Sequence, residues 1–156
     1  MRLGPVAALA FGAFVAAIGF GAWSLSGGAS AEVALRPDDP EVVALGGRVY
    51  GAHCAACHGA ALEGQPDWRS PGPDGLLPAP PHDATGHTWH HPDAVLFALT
   101  KEGPTAYVGG GHRSAMPGFA GTLSDEEIVA ALSYIESTWP EDVRARHDAI
   151  NVQAAR

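Results

Sequence analysis

Apolar and polar residues follow one another along this chain in helical rhythm, in blocks separated by long stretches with no rhythm at all. The first block is not periodic. From Leu3 to Leu25 runs a 23-residue apolar stretch, and Arg2 is the only charge before Glu32. A segment of that length can cross a membrane as a helix. Ala29-Ser30-Ala31 has the small-residue form of a signal-peptidase site. Residues 1–31 therefore read as a retained N-terminal hydrophobic helix that anchors the chain, or as a cleaved signal. In either case the rest is exported, with the basic end left inside.

Residues 32–39 read as a linker, after which helix signals begin. Asp39 is placed to cap a helix, with Pro40 in the first helical position and Glu41 at the positive end. Val42, Val43, Leu45, Val49 and Tyr50 supply its apolar face, up to about His53. Residues 59–88 are almost all loop, rich in proline and glycine. A loop that long in a small domain usually wraps something. A second helix is expected over about 92–101, with Val95, Leu96 and Leu99 on one side and Gly103-Pro104 as its stop. The third has the fullest signature: Ser124 and Glu127 as a capping box, Leu123 stapled onto Ile128, and a stripe of Ile128, Ala131, Leu132 and Ile135. Trp139-Pro140 ends it, and 140 to about 150 suits one more short, charged helix within an extension over 140–156. Strand signals and internal repeats are lacking. Three or four helices of this size bury too little apolar area to be comfortable alone.

Composition narrows the class. The chain has 156 residues, room for one ordinary domain. With 46% apolar and 17% charged residues it is not a disordered chain. Two cysteines make no disulfide scaffold, and 9 basic against 17 acidic residues leave no footprint for nucleic acid. The part after residue 31 has 8 basic and 17 acidic residues, a formal charge of −9 with histidines neutral. That charge favours partners with basic docking patches, or serves solubility alone.

The chemistry rests on Cys54-Ala55-Ala56-Cys57-His58, a C-x-x-C-H sequence that assigns covalent attachment of c-type haem. Two thiols about one helical turn apart match the two vinyl groups on one porphyrin edge, and the adjacent imidazole can reach the iron. A redox dithiol would need a βαβ setting, and a structural zinc site would need two further ligands at matching spacing. Beyond residue 31 the chain has one methionine, Met116, in a loop before Pro117-Gly118. Its thioether is a soft sixth ligand that raises the potential. His112 is the rival ligand, and a gap-filling core role is the plainer reading of Met116.

These pieces, in this order, resemble a class I cytochrome c over about residues 40–139. Gly46 and Tyr50 precede the C-x-x-C-H motif at the spacing by which that family packs its first helix on its last. A Pro-rich loop, Met116-Pro117 and a helix bearing Tyr134 follow. The resemblance implies an all-α fold around one covalent haem. Cys54 and Cys57 would be its thioether links, His58 and Met116 its axial ligands, and Pro80 a carbonyl partner for His58. With both axial positions filled, it implies an electron carrier rather than an enzyme, exchanging electrons with redox proteins. By analogy these are a quinol oxidase complex or periplasmic dehydrogenase upstream, and a terminal oxidase or reductase downstream. The acidic charge departs from the basic mitochondrial shuttle, so that protein's docking surface is not carried over.

Three groups of residues have a second reading. His82, His87, His90 and His91, with Asp83 and Trp89, can be a second metal site, for copper in a copper-handling haem module. Alternatively Trp89 and one histidine bond haem carboxylates, His91 caps the second helix, and the others are surface. Trp68-Arg69 can cover or pair with a haem carboxylate, or lie free. A Gly109–Gly111 loop that released Met116 would instead make a gas sensor or peroxidase.

Overall fold

The computed structural model describes residues 33–156, and the expected anchor or signal segment 1–31 lies outside them. Among the described residues there are helices and loops and no strand, as the periodicity implies. No helix among them is long and apolar enough to cross a membrane.

Helix α1 (Pro40–His53) begins where the local chemistry places it. The Asp39 carboxylate accepts hydrogen bonds from the Glu41 and Val42 N–H groups at 3.0 and 3.2 Å. Cys54 interrupts the helix with φ −116°, and a single further turn, α2 (Ala55–His58), carries the rest of the motif. Gly59 stops that turn at φ +82°, a conformation that suits glycine. The Tyr50 hydroxyl donates to the Gly59 carbonyl at 2.7 Å, locking the end of the motif to the helix before it.

Helix α5 (Asp125–Ser137) forms with both halves of its capping box made: the Glu127 N–H donates to Ser124 Oγ, and the Ser124 N–H to Glu127 Oε2. The stripe expected on it, Ile128, Ala131, Leu132 and Ile135, is buried throughout. Helices α1 and α5 pack face to face at Gly46. A Cβ there would overlap the Ala130 carbonyl and stand 2.8 Å from Tyr134 Cβ, so only a glycine allows the approach. The Tyr50 and Tyr134 rings meet beside it, centroids 5.5 Å apart. Of the expected α1 face, Val42, Val49 and Tyr50 are buried, whereas Val43 and Leu45 are half-buried.

Helix α3 (Asp93–Glu102) ends at Gly103, but Pro104 does not end the helical chain as expected. It opens a further turn, α4 (Pro104–Val108), because proline in the first helical position forgoes no hydrogen bond. With α2 and α4 added, the described residues hold six α-helices rather than three or four, plus a 3₁₀ turn at Thr88–His90. Both extra pieces are single turns, too short to show a period.

The two ends of the described chain are docked. The Leu35 N–H donates to Asp93 Oδ2 at 2.8 Å, and the Arg36 N–H to Ser133 Oγ at 2.9 Å. Helix α6 (Glu141–Ala154) buries Val143 and His147, and its Arg144 pairs with Asp38 at 2.8 Å. The segment beyond residue 139 is thus packed into the same unit as the rest.

Candidate functional site

Cys54 and Cys57 lie three residues apart on a single helical turn: the Cys57 and His58 N–H groups both donate to the Cys54 carbonyl, at 3.1 and 2.9 Å. Cys54 is half-buried and Cys57 exposed, and they form no disulfide. Burial, and then the neighbouring Cys57, push the Cys54 thiol up to about 11. This is not the depressed thiol of a reactive dithiol, whose attacking sulfur is held as thiolate.

His58, at the end of α2, is buried. Its Nδ1 is 2.8 Å from the Pro80 carbonyl oxygen. A carbonyl can only accept, so Nδ1 carries the proton and Nε2 keeps its lone pair for a metal. Burial lowers the His58 pKa, against the opposing pull of the Pro80 bond, so the ring stays neutral as a ligand must. Pro80 reaches this place because the Pro-rich loop folds back on itself. Gln65 holds Ala79 through both its N–H and its side chain, at 2.8 and 2.9 Å, and Gly64 lets the backbone pass directly over Pro80 and Pro81.

His82 does something the sequence did not disclose. Its ring stacks on that of His58, centroids 4.0 Å apart, and its Nδ1 is 2.8 Å from Thr88 Oγ1. Its N–H is held by the Leu62 carbonyl, and its own carbonyl accepts from the Trp139 indole at 2.7 Å. Burial, then the adjoining His58 and His87, hold its pKa well below the ordinary value. This neutral ring wedges His58 in orientation.

The second-metal grouping is therefore corrected. His82 is committed to His58, and Asp83 Oδ1 accepts from the N–H and hydroxyl of Thr85, closing a turn. His90 packs on the Trp89 ring and is exposed. Among the described residues, the three metal-type side chains whose ligand atoms converge within 4.8 Å are Asp93, Glu136 and His147, none of them a histidine of that group. The His87 and His91 rings meet edge-on, centroids 5.5 Å apart, without a third ligand atom converging on them.

Met116 is half-buried, and its loop is held on both sides. Its N–H donates to Ser114 Oγ at 3.1 Å, and the Ser114 N–H to Thr105 Oγ1 at 3.1 Å. Beyond it, the Phe119 and Ala120 N–H groups donate to the Thr100 and Lys101 carbonyls at the end of α3. Phe119 sets its ring edge-on to His53, centroids 6.3 Å apart, immediately before the C-x-x-C-H turn. Ala115 lines a pocket of about 480 Å³ with Leu76, Leu77 and Pro78 of the Pro-rich loop. His112, by contrast, is exposed.

Two buried polar atoms have no protein partner, Trp89 Nε1 and His87 Nδ1. An orphaned buried N–H is rare and calls for an acceptor. The His87 ring stacks on Trp68 at 5.3 Å, and the Arg69 guanidinium lies 4.0 Å over the Trp68 ring, on the surface. The Trp89 indole N–H needs an acceptor of the kind a haem carboxylate offers, and with a neutral His58 and a paired-thiol turn the residues fit the group.

A helical domain, two thiols one turn apart and a metal-ready histidine beside them define a c-type haem protein. The model of the family described as Cytochrome c matches residues 43–139, and the chain belongs to that family. Haem c, bound covalently, is its cofactor, and Cys54 and Cys57 fit the attachment. The family's work is electron carriage between redox proteins. No curated protein and no solved structure matches the chain significantly.

Proposed function

We propose that this chain is a single-haem carrier with His58 and Met116 as axial ligands, working by outer-sphere transfer of one electron at a time. The observation that carries the reading is the His58–Pro80 hydrogen bond, which fixes the tautomer that leaves Nε2 free. Haem supplies the reversible one-electron couple of its iron. The residues supply everything else. Cys54 and Cys57 tether the ring, and Pro80 and His82 hold His58 in tautomer and orientation. Trp89 Nε1 and His87 Nδ1 would donate to the haem carboxylates, with Arg69 adding positive charge nearby. Met116 is favoured over His112 by its burial and by the hydrogen bonds on both sides of it. Those bonds also argue against a sensor or peroxidase that releases Met116. Gly109, Gly110 and Gly111 all take positive φ, but the tie at Ser114–Thr105 separates their loop from Met116.

The carrier works on the periplasmic side of a bacterial inner membrane, held by residues 1–31 or released from them. Its negative charge suits basic docking faces on a quinol oxidase complex or periplasmic dehydrogenase, and on a terminal oxidase or reductase. The test is an optical spectrum of the oxidised holoprotein, wild type and Met116→Ala. The wild type should show the weak far-red band of a methionine–iron(III) bond. The variant should keep its covalent haem, lose the band, bind cyanide quickly and have a lower potential. An unchanged potential in the variant would refute Met116 as ligand.

A further inference from the structure

One buried polar cluster takes no part in holding the haem. Asp93 opens α3, Glu136 lies near the end of α5, and His147 sits in the middle of α6; all three are shielded from solvent. His147 Nε2 is 2.8 Å from Asp93 Oδ1, and its Nδ1 is 3.2 Å from the Trp89 carbonyl. Both ring nitrogens thus face acceptors, and both are satisfied only when the ring is the imidazolium. Asp93 is saturated as well, by the Leu35 N–H at 2.8 Å and the Asn151 Nδ2 at 2.8 Å in addition to His147. No histidine lone pair is left over for a cation, so the cluster is organised around protons.

Glu136 is the member without such support. Only 4% exposed, it feels burial first, which pushes its pKa up to about 7. Asp93 on α3 and Asp148 on α6 add to the rise, while His147 and Arg144 on α6 oppose it. Arg144 is itself clamped by Asp38. Beside it on α6, Arg144 and Asp148 line a pocket of about 590 Å³ with Trp139 and Glu141. Trp89 joins the cluster to the haem side: its carbonyl holds His147, and its indole N–H is the orphaned donor that suits a haem carboxylate.

We propose that the Asp93–Glu136–His147 cluster makes this carrier's reduction proton-coupled, with Glu136 as the group that gains and loses the proton. When the protein accepts one electron from its reducing partner, the Glu136 carboxylate takes one proton from solvent. When the electron leaves, the proton returns to solvent. The cause is electrostatic: an added negative charge inside the protein raises the affinity of a nearby buried carboxylate for a proton, and little water intervenes to screen it. His147, held as imidazolium, and Asp93, held as carboxylate, keep their charges while Glu136 changes. The proposal rests on the haem reading of Trp89.

The experiment is a redox titration of full-chain holoprotein across about pH 5.5–8.5, for wild type, Glu136→Gln and Asp148→Asn. Wild-type potential should fall as pH rises through neutrality, and Glu136→Gln should be flat in that window. Asp148 is exposed, so its replacement spares the fold; removing its charge should move the window to lower pH. Dye-monitored reduction of weakly buffered wild type should take up protons near neutral pH. A flat wild-type profile, an unaltered slope in Glu136→Gln, an unmoved window in Asp148→Asn or no proton uptake each overturns the proposal. The methionine–iron band, read in the same samples, reports on the ligand reading separately: its persistence beside a flat profile leaves that reading standing.

Discussion

Single side chains in this domain are used according to which of their atoms face acceptors and which face donors. His58 meets a carbonyl on one nitrogen and so is neutral with the other nitrogen free. His147 meets acceptors on both and so is charged. Residue type alone does not separate the two. Burial works against charge on His147, but the bonds to Asp93 and the Trp89 carbonyl outweigh it and raise its pKa. Burial likewise disfavours charge on Asp93, yet hydrogen bonds from His147, the Leu35 N–H and Asn151 hold its pKa below the ordinary value. The signs then set the pH dependence of stability. The Asp93 contribution is present above the unfolded-state pKa of 3.8 and is lost as pH falls through the lower folded value. Thermal unfolding followed by circular dichroism should show a steep loss of stability in that acid range. Asp93→Asn should cost about 1.5–3 kcal/mol at neutral pH, from charge-assisted bonds lost, and should flatten the acid limb. An equally steep limb in the variant would move the effect to other carboxylates.

Helices here begin and end by local rules and pack by shape. The caps at Asp39 and Ser124 involve partners two or three residues away, which is why both helix starts were legible in the sequence. The single-turn helices α2 and α4 were not, because four or five residues carry no periodicity. Within α1, two glycines make a direct comparison. Gly46→Ala drives a methyl into the Ala130 carbonyl and should destabilise by about 1–3 kcal/mol as an overpacked contact. Gly51→Ala, with nothing within 4 Å, should instead stabilise by about 0.5–1 kcal/mol through helix propensity. Urea unfolding of the two holoproteins measures both, and a Gly46→Ala variant as stable as wild type would mean that α1 and α5 can separate without cost.

At the scale of the molecule, the turn after α1 carries the thiols and His58, and the long loops bring Pro80, His82 and Met116. Half-buried Phe97, Trp89, Phe119 and Cys54 pack against the buried core but do not complete it. A domain of this size with so much loop gains its stability from what it encloses. Replacing Cys54 and Cys57 together by alanine should therefore leave little stable holoprotein. Haem-stained gels and far-ultraviolet circular dichroism check this, and a well-folded, cooperatively melting apoprotein would contradict it.

What the sequence determined by itself was whatever depends on neighbours along the chain. The helix caps, the stripe on α5, the thiol pair with its histidine, and the need for something within the long loop all belong there. The Gly46–Tyr134 crossing and the Pro80 carbonyl were legible only through the family resemblance. Tertiary structure decided how the remaining histidines are used. His82 lies 24 residues from the ring it supports, and Asp93 lies 54 from the imidazolium it holds. No periodicity reports such separations. They are set when burial removes water from polar groups and obliges each one to find a partner wherever the fold has brought it.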